Sequence, residues 1–120
     1  MSNDLEQEPA WVHQIGLVDA ALAENVWSRA FYAWHEAHNE AFRSGRWEAL
    51  VAVGDAALRI DAIAGQAAGF RSDARRVYLA ALVRARAENS LDGARRIAEG
   101  FARLGDRPLA EHARRVAGEL

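Results

Sequence analysis

The chain has 120 residues, 51% hydrophobic and 27% charged, with a formal net charge of −2 and no cysteine. That is enough for one domain with its own core, and it excludes disulfides, zinc–thiolate sites and thiol catalysis. Every basic side chain is an arginine, and the charge is uneven. Ten acids face four arginines through Asp61, leaving −6, and seven acids face eleven arginines after it, leaving +4. Such a split can steer partners or favour head-to-tail association, but it is first of all the pattern of a solvated surface. The segment MSNDLEQEPAW lacks the basic-then-apolar order of a signal peptide. No apolar run approaches the roughly 18 residues that span a bilayer, so the expected compartment is the cytoplasm, with no membrane partner.

Residues 1–8 read as a flexible tail and 9–120 as a single helical domain. Pro9 suits the first turn of a helix, where its missing N–H is not needed. Trp11, Ile15, Val18 and Leu22 then recur at i, i+4, i+7 and i+11, one stripe of an amphipathic helix. Periodicity does not say whether this helix stops near Glu24-Asn25 or runs into the next. Trp27, Phe31, Trp34 and His38 form a second stripe beside an alanine stripe of Ala30, Ala33, Ala37 and Ala41, a pattern that asks for burial on two sides. Gly45 is the natural stop.

The following helix turns Trp47, Leu50, Val51, Ala57, Leu58 and Ile60 inward. Gly54 in its middle costs ~1 kcal/mol against alanine, with close helix packing as the expected compensation. Ala64 to Gly69 is a small-residue loop. Ser72 or Asp73 is then the expected cap of a helix that buries Phe70, Ala74, Val77, Tyr78, Ala81, Leu82 and Ala85. Asn89-Ser90 breaks the chain and caps a shorter helix with Leu91, Ala94, Ile97, Ala98, Phe101 and Leu104 inward. Asp92 with Arg96, Glu99 with Arg103 and Glu111 with Arg115 stand at i, i+4 in the favourable acid-first order. Asp106 and Pro108 open a last helix, with Leu109, Ala113, Val116 and Leu120 as its stripe. No segment alternates with period two, so the predicted fold is all-α.

Helix, tight turn, helix, with turns near Gly45, Asn89 and Gly105, is the grammar of a helical repeat. The words SGRWEAL and GDAALRID resemble the turn, aromatic-Glu and second-helix ending of tetratricopeptide-repeat (TPR) sequences, and AENSLDGARRIAEGFARLGD restates the theme. Trp34 and Tyr78 fall where the first-helix aromatic would stand, and RLGDRPLAEHARRVAGEL resembles a capping helix. The two aromatics are 44 residues apart, against a family period of about 34, and the proline expected after the second helix is absent. The resemblance covers roughly Val26 to the C-terminus. It implies antiparallel hairpins at about 26–64 and 70–104 and a capping helix over 107–119. These would stack as a short TPR-like right-handed array of five or six helices.

In such arrays the first helices of successive hairpins line a groove for an extended peptide. By resemblance, that groove takes Tyr32, His35, Asn39 and Arg43 from one hairpin and Arg76, Leu79, Val83 and Arg86 from the other. An asparagine amide offers donors to a peptide backbone, and arginines offer charge-assisted ones. The bland counterpart is a solvated helix face. His35 and His38 at i, i+3, with Glu40 near, invite a metal reading, although His38 sits on an apolar stripe and paired Glu-x-x-His motifs are missing. Trp11, Trp27, Trp34 and Trp47 crowd the first 47 residues, which suggests core packing or a homodimer interface through the N-terminal half. Arginine pairs such as Arg75-Arg76 are interleaved with acids, and adjacent helical residues point about 100° apart, so nucleic acid is not an expected partner. No serine lies in a Gly-rich elbow, and there is no phosphate loop or His-Glu-x-x-His. The sequence therefore reads as a non-enzymatic protein- or peptide-binding module without a cofactor. The alternative is a compact dimeric bundle holding a small ligand or metal near His35 and His38.

Overall fold

The punctuation in the sequence becomes helix ends. The computed structural model describes residues 8–65 and 69–120, and among them six helices follow one another. They are α1 (Ala10–Ala23), α2 (Trp27–Ser44), α3 (Trp47–Ala64), α4 (Phe70–Ala87), α5 (Leu91–Leu104) and α6 (Arg107–Gly118). The described residues contain no strand. The expected tail, save Glu8, and the centre of the Ala64–Gly69 loop lie outside them. α1 and α2 are separate, broken where Asn25 takes φ 59°, a left-handed conformation that asparagine tolerates. Gly45 and Gly105 end α2 and α5 in the same conformation. Ser90 Oγ accepts from Gly93 N to cap α5, and Asp106 accepts from Leu109 N to cap α6 with Pro108 in the first turn.

The expected cap of α4 is corrected. The helix already begins at Phe70, after Gly69 at φ 75°, and it has no side-chain cap. Ser72 and Asp73 fall inside its first turn because burying Phe70 against Trp34 and Phe31 draws the helix start forward.

Cross-element contacts give the direction of each helix. Asp19 with Arg59 joins the C-terminal halves of α1 and α3, and Trp47 meets Gly93 at the starts of α3 and α5. Phe31 with Phe70 joins the starts of α2 and α4, and Gly45 lies beside Arg84 at their ends. Arg75 reaches Asp106, and Arg86 reaches Glu119, so α6 runs parallel to α4. Thus α1, α3 and α5 form one parallel layer, and α2, α4 and α6 form a second layer running the other way. The slab measures 47 × 41 × 18 Å, its thin dimension being two helices at the usual 8–10 Å spacing. Consecutive helices pack throughout, most closely as α1 with α2, α3 with α4 and α5 with α6.

The core fills the space between the layers, where Trp34, Tyr78, Phe101, Leu50 and Ile60 are its largest fully buried side chains. Tyr78 sits in a slot. A Cβ placed on Gly54 or on Gly100 would lie 2.6 Å from its ring. Its hydroxyl donates to Asp55 Oδ1 at 2.5 Å, and Arg103 Nη2 donates to the same oxygen at 2.8 Å. Burial first, and then the Asp55 hydrogen bond, push the phenol well above its ordinary value. The close packing expected at Gly54 is therefore an aromatic ring, and Gly100 forms the opposite wall.

The three i, i+4 ion pairs do not form. Arg103 crosses to Asp55, and the Arg96 guanidinium lies 5.4 Å from the Trp47 ring centroid. An intrahelical pair contributes only about 0.2–0.5 kcal/mol, and for Arg96 a stacked aromatic face is comparable or better. Leu91, placed inward by periodicity, is exposed at the start of α5.

Helix propensity and packing oppose one another at the slot, which makes its sign testable. Alanine favours the helix by about 1 kcal/mol, whereas overpacking a filled core costs roughly 1–3 kcal/mol. Gly54→Ala and Gly100→Ala are each expected to lower the urea midpoint, and Tyr78→Leu to soften that loss in a double-mutant cycle. A glycine variant as stable as wild type would refute the slot.

Candidate functional site

The site is built outward from Trp34. Its Nε1 donates to Val53 O at 3.0 Å across the layers, fixing the indole in the wall between α2 and α4. His38, one turn later, stacks on the indole with centroids 5.1 Å apart and planes at 21°. Phe42, one more turn along, meets the imidazole edge-on at 4.9 Å, and Phe70 of α4 closes on Trp34 from the other side at 5.1 Å. The i, i+4, i+8 spacing of Trp34, His38 and Phe42 produces this ladder, because such residues share one helix face.

Above the ladder an open cleft of about 370 Å³ separates α2 from α4. Trp34 and Val77 are its floor, His35, His38 and Phe42 one wall, and Asp73 and Arg76 the other. Asp73 and Arg76 are themselves ion-paired. His38 is half buried, and burial sets it below the ordinary histidine value. Asp73 opposes that shift, while His35 and Arg76 reinforce it. At neutral pH the imidazole is therefore uncharged, offering one donor and one acceptor.

The residues expected to line one groove are divided. His35 and Arg76 face each other across the cleft. Tyr32, 69% exposed, and the exposed Asn39 stand on the outer surface of α2. Arg43 turns toward the α1 side, where it pairs with Glu40 at 2.9 Å and lines a depression with Trp11 and Arg46. Arg86 reaches α6 through Glu119 at 3.8 Å, not α2. Leu79 and Val83, three and seven residues after Arg76, stand exposed on the outer surface of α4. His38, Phe42 and Asp73 were not among the expected lining residues. The ladder spacing was the available signal for the first two, and nothing local marked Asp73.

The chain matches no protein-family model, no curated protein and no solved structure. Function must be read from the site itself.

Four large apolar side chains stay exposed on the outer surface of α2 and α4, namely Tyr32, Phe42 at 49%, Leu79 at 37% and Val83 at 68%. The tryptophans are not among these exposed groups. Trp34 and Trp47 are buried, and Trp11 and Trp27 are half buried against the core. The aromatic content of the N-terminal half is therefore mostly spent on the fold. Among the described residues, no group of three or more His, Asp or Glu is placed to hold a metal ion. No helix among them is long and apolar enough to cross a membrane.

His38 makes stability depend on pH in a definite direction. Its folded value lies below the ordinary histidine value of 6.5, so the unfolded chain binds more protons between the two values. The contribution is fully present above pH 6.5 and is lost as pH falls through that window. Urea midpoints at pH 7.5 and pH 5 are expected to differ more for wild type than for His38→Gln. An equal difference would show that the buried imidazole carries none of the effect.

Proposed function

We propose that the chain is a non-enzymatic protein- or peptide-binding module that works through the outer surface of α2 and α4. The supporting observation is that Tyr32, Phe42, Leu79 and Val83 are all exposed on that one layer, with Phe42 in the wall of an open cleft. Large apolar groups scattered singly over a surface need no explanation, whereas a cluster rimmed by polar groups marks a contact surface. Here the rim is His35, Asn39, Asp73 and Arg76.

The mode follows from the shape. Two parallel helices with a shallow channel between them offer side-chain pockets at one-turn intervals, about 5.4 Å. An extended segment, at roughly 3.3 Å per residue, places alternate side chains at a similar step. Phe42 and Tyr32 supply rigid aromatic area at low entropic cost. Asn39, His35 and the free donors of Arg76 can satisfy the backbone of the bound segment. The TPR resemblance belongs to this reading and points to the same layer, and the cytoplasm is the compartment proposed with it.

Panning a random displayed-peptide library against the purified chain tests it. The selected peptides are expected to lose about tenfold or more in affinity, about 1.4 kcal/mol, for a Tyr32→Ala/Val83→Asp double variant. Arg59→Ala, on the opposite layer, is expected to leave affinity unchanged, and circular dichroism should report the same helix content for all three. Failure to enrich any peptide, or undiminished binding by the double variant, would remove the proposal.

A further inference from the structure

A second surface lies at the C-terminal end of the slab. The flank of α3 and α4 is covered by α5, which sets its Gly93 on Trp47 and its Gly100 and Phe101 on Tyr78. The corresponding flank of α5 and α6 has no helix over it among the described residues. It is also built differently. Where α3 and α4 present aromatic rings, α5 and α6 present alanine methyls, Ala98 and Ala110 among them, interspersed with Arg95, Arg107 and Arg114. Two clefts of about 430 Å³ each open there, one on either side of Arg114, which lines both.

The charge of this flank is unspent. Nine arginines, Arg29, Arg43, Arg46, Arg59, Arg71, Arg75, Arg76, Arg86 and Arg103, pair with carboxylates within the chain. Among the described residues Arg95, Arg107 and Arg114 form no such pair. Glu99 offsets Arg95 in the first cleft, so the residues lining the two clefts keep two positive charges, Arg107 and Arg114 of α6, while the exposed Glu111 stands between them outside either lining.

We infer that this flank docks an acidic amphipathic helix of a partner protein. Two features set its form. Arg107 and Arg114 are seven residues apart on α6, two turns or about 10 Å, so they match carboxylates at i and i+7 on a helix laid along the groove. The alanine methyls between them leave room for a helix axis to approach to about 8 Å, a depth that larger side chains would deny. A neutral apolar helix would find no large pocket and would have to desolvate the Arg107 and Arg114 guanidinium groups without compensation, which is costly. A basic helix would be repelled. Interleaved acidic and small residues on the partner satisfy both the charge and the depth.

Two synthetic 18-residue helical peptides test this, alike except that one carries Glu and the other Lys at i and i+7 of an alanine-leucine face. Fluorescence anisotropy at low salt is expected to show binding of the Glu peptide and none of the Lys peptide. The affinity should fall at least tenfold in Arg107→Ala/Arg114→Ala and fall again in 0.5 M salt. Arg114→Glu should shift preference toward the Lys peptide. Both arginines are exposed, so circular dichroism is expected to be unchanged. Equal binding of the two peptides, no binding up to millimolar concentration, or an unaffected double variant would overturn the inference. Sedimentation showing self-association that Arg114→Glu abolishes would give the flank to a second copy instead. A single-stranded oligonucleotide displacing the Glu peptide would give it to nucleic acid. Tyr32 and Val83 variants are expected to bind the Glu peptide normally, which separates this surface from the α2–α4 one.

Discussion

The Tyr78 ring is wedged between two helix backbones, with Gly54 on one side and Gly100 on the other. No other side chain at either position would leave room for it. The ring therefore sets how closely α4 can approach both α3 and α5, and through them the spacing of the two layers. Its hydroxyl sits where Asp55 and Arg103 converge, so one residue ties three helices together. The apolar ring supplies most of the stabilisation, roughly 2–3 kcal/mol for a buried aromatic side chain. The Asp55–Arg103 pair adds little by itself, because Arg103 is half exposed and such pairs contribute about 0–1 kcal/mol. What the carboxylate does is spare a buried hydroxyl from going unpaired, an omission costing roughly 1–3 kcal/mol.

A second set of contacts fastens the ends. Arg71 donates to the Leu104 carbonyl at the end of α5 and approaches Asp61 at 3.5 Å near the end of α3. Asp106 caps α6 with one oxygen and accepts from Arg75 of α4 with the other. These links spend charge across the two halves of the chain, because Asp55 and Asp61 lie before residue 62 and their arginines after it. The charge imbalance of the sequence is thus partly the trace of internal stitching. Among the described residues, the arginines of the α5–α6 flank stay outside this stitching.

The parts of the fold that were legible in the sequence are the ones decided locally. Gly45, Ser90, Gly105, Asp106 and Pro108 end or begin helices through their own backbone or side-chain chemistry, and they do so where expected. The expected cap of α4 at Ser72 or Asp73 fails, although its start near residue 70 does not, because a distant contact, Phe70 against Trp34, outweighs a local capping preference of about 1 kcal/mol. Gly54 announced close packing without naming its partner, since nothing near it in sequence points to residue 78. The ion pairs failed for a similar reason. Spacing on one helix cannot know that Trp47 and Asp55 lie across the gap from Arg96 and Arg103.

The candidate site divides along the same line. The polar stripe of α2 was read correctly as a surface, because a helix with one aromatic face must show the other to solvent. The stripe of α4 was harder, since α4 is flanked on both sides and its outward residues belong to two different channels. Arg76 looks toward α2 and Arg86 toward α6, a distinction that depends on which neighbour stands on which side. His38 shows how one position serves both fold and surface. Stacked on Trp34, it completes the core edge, and facing Asp73 and Arg76, it lines the cleft. A leucine there would pack as well but offer no polar atom, and a lysine would carry charge but could not stack. An uncharged imidazole stacks and still presents one donor and one acceptor, with no buried cation to desolvate.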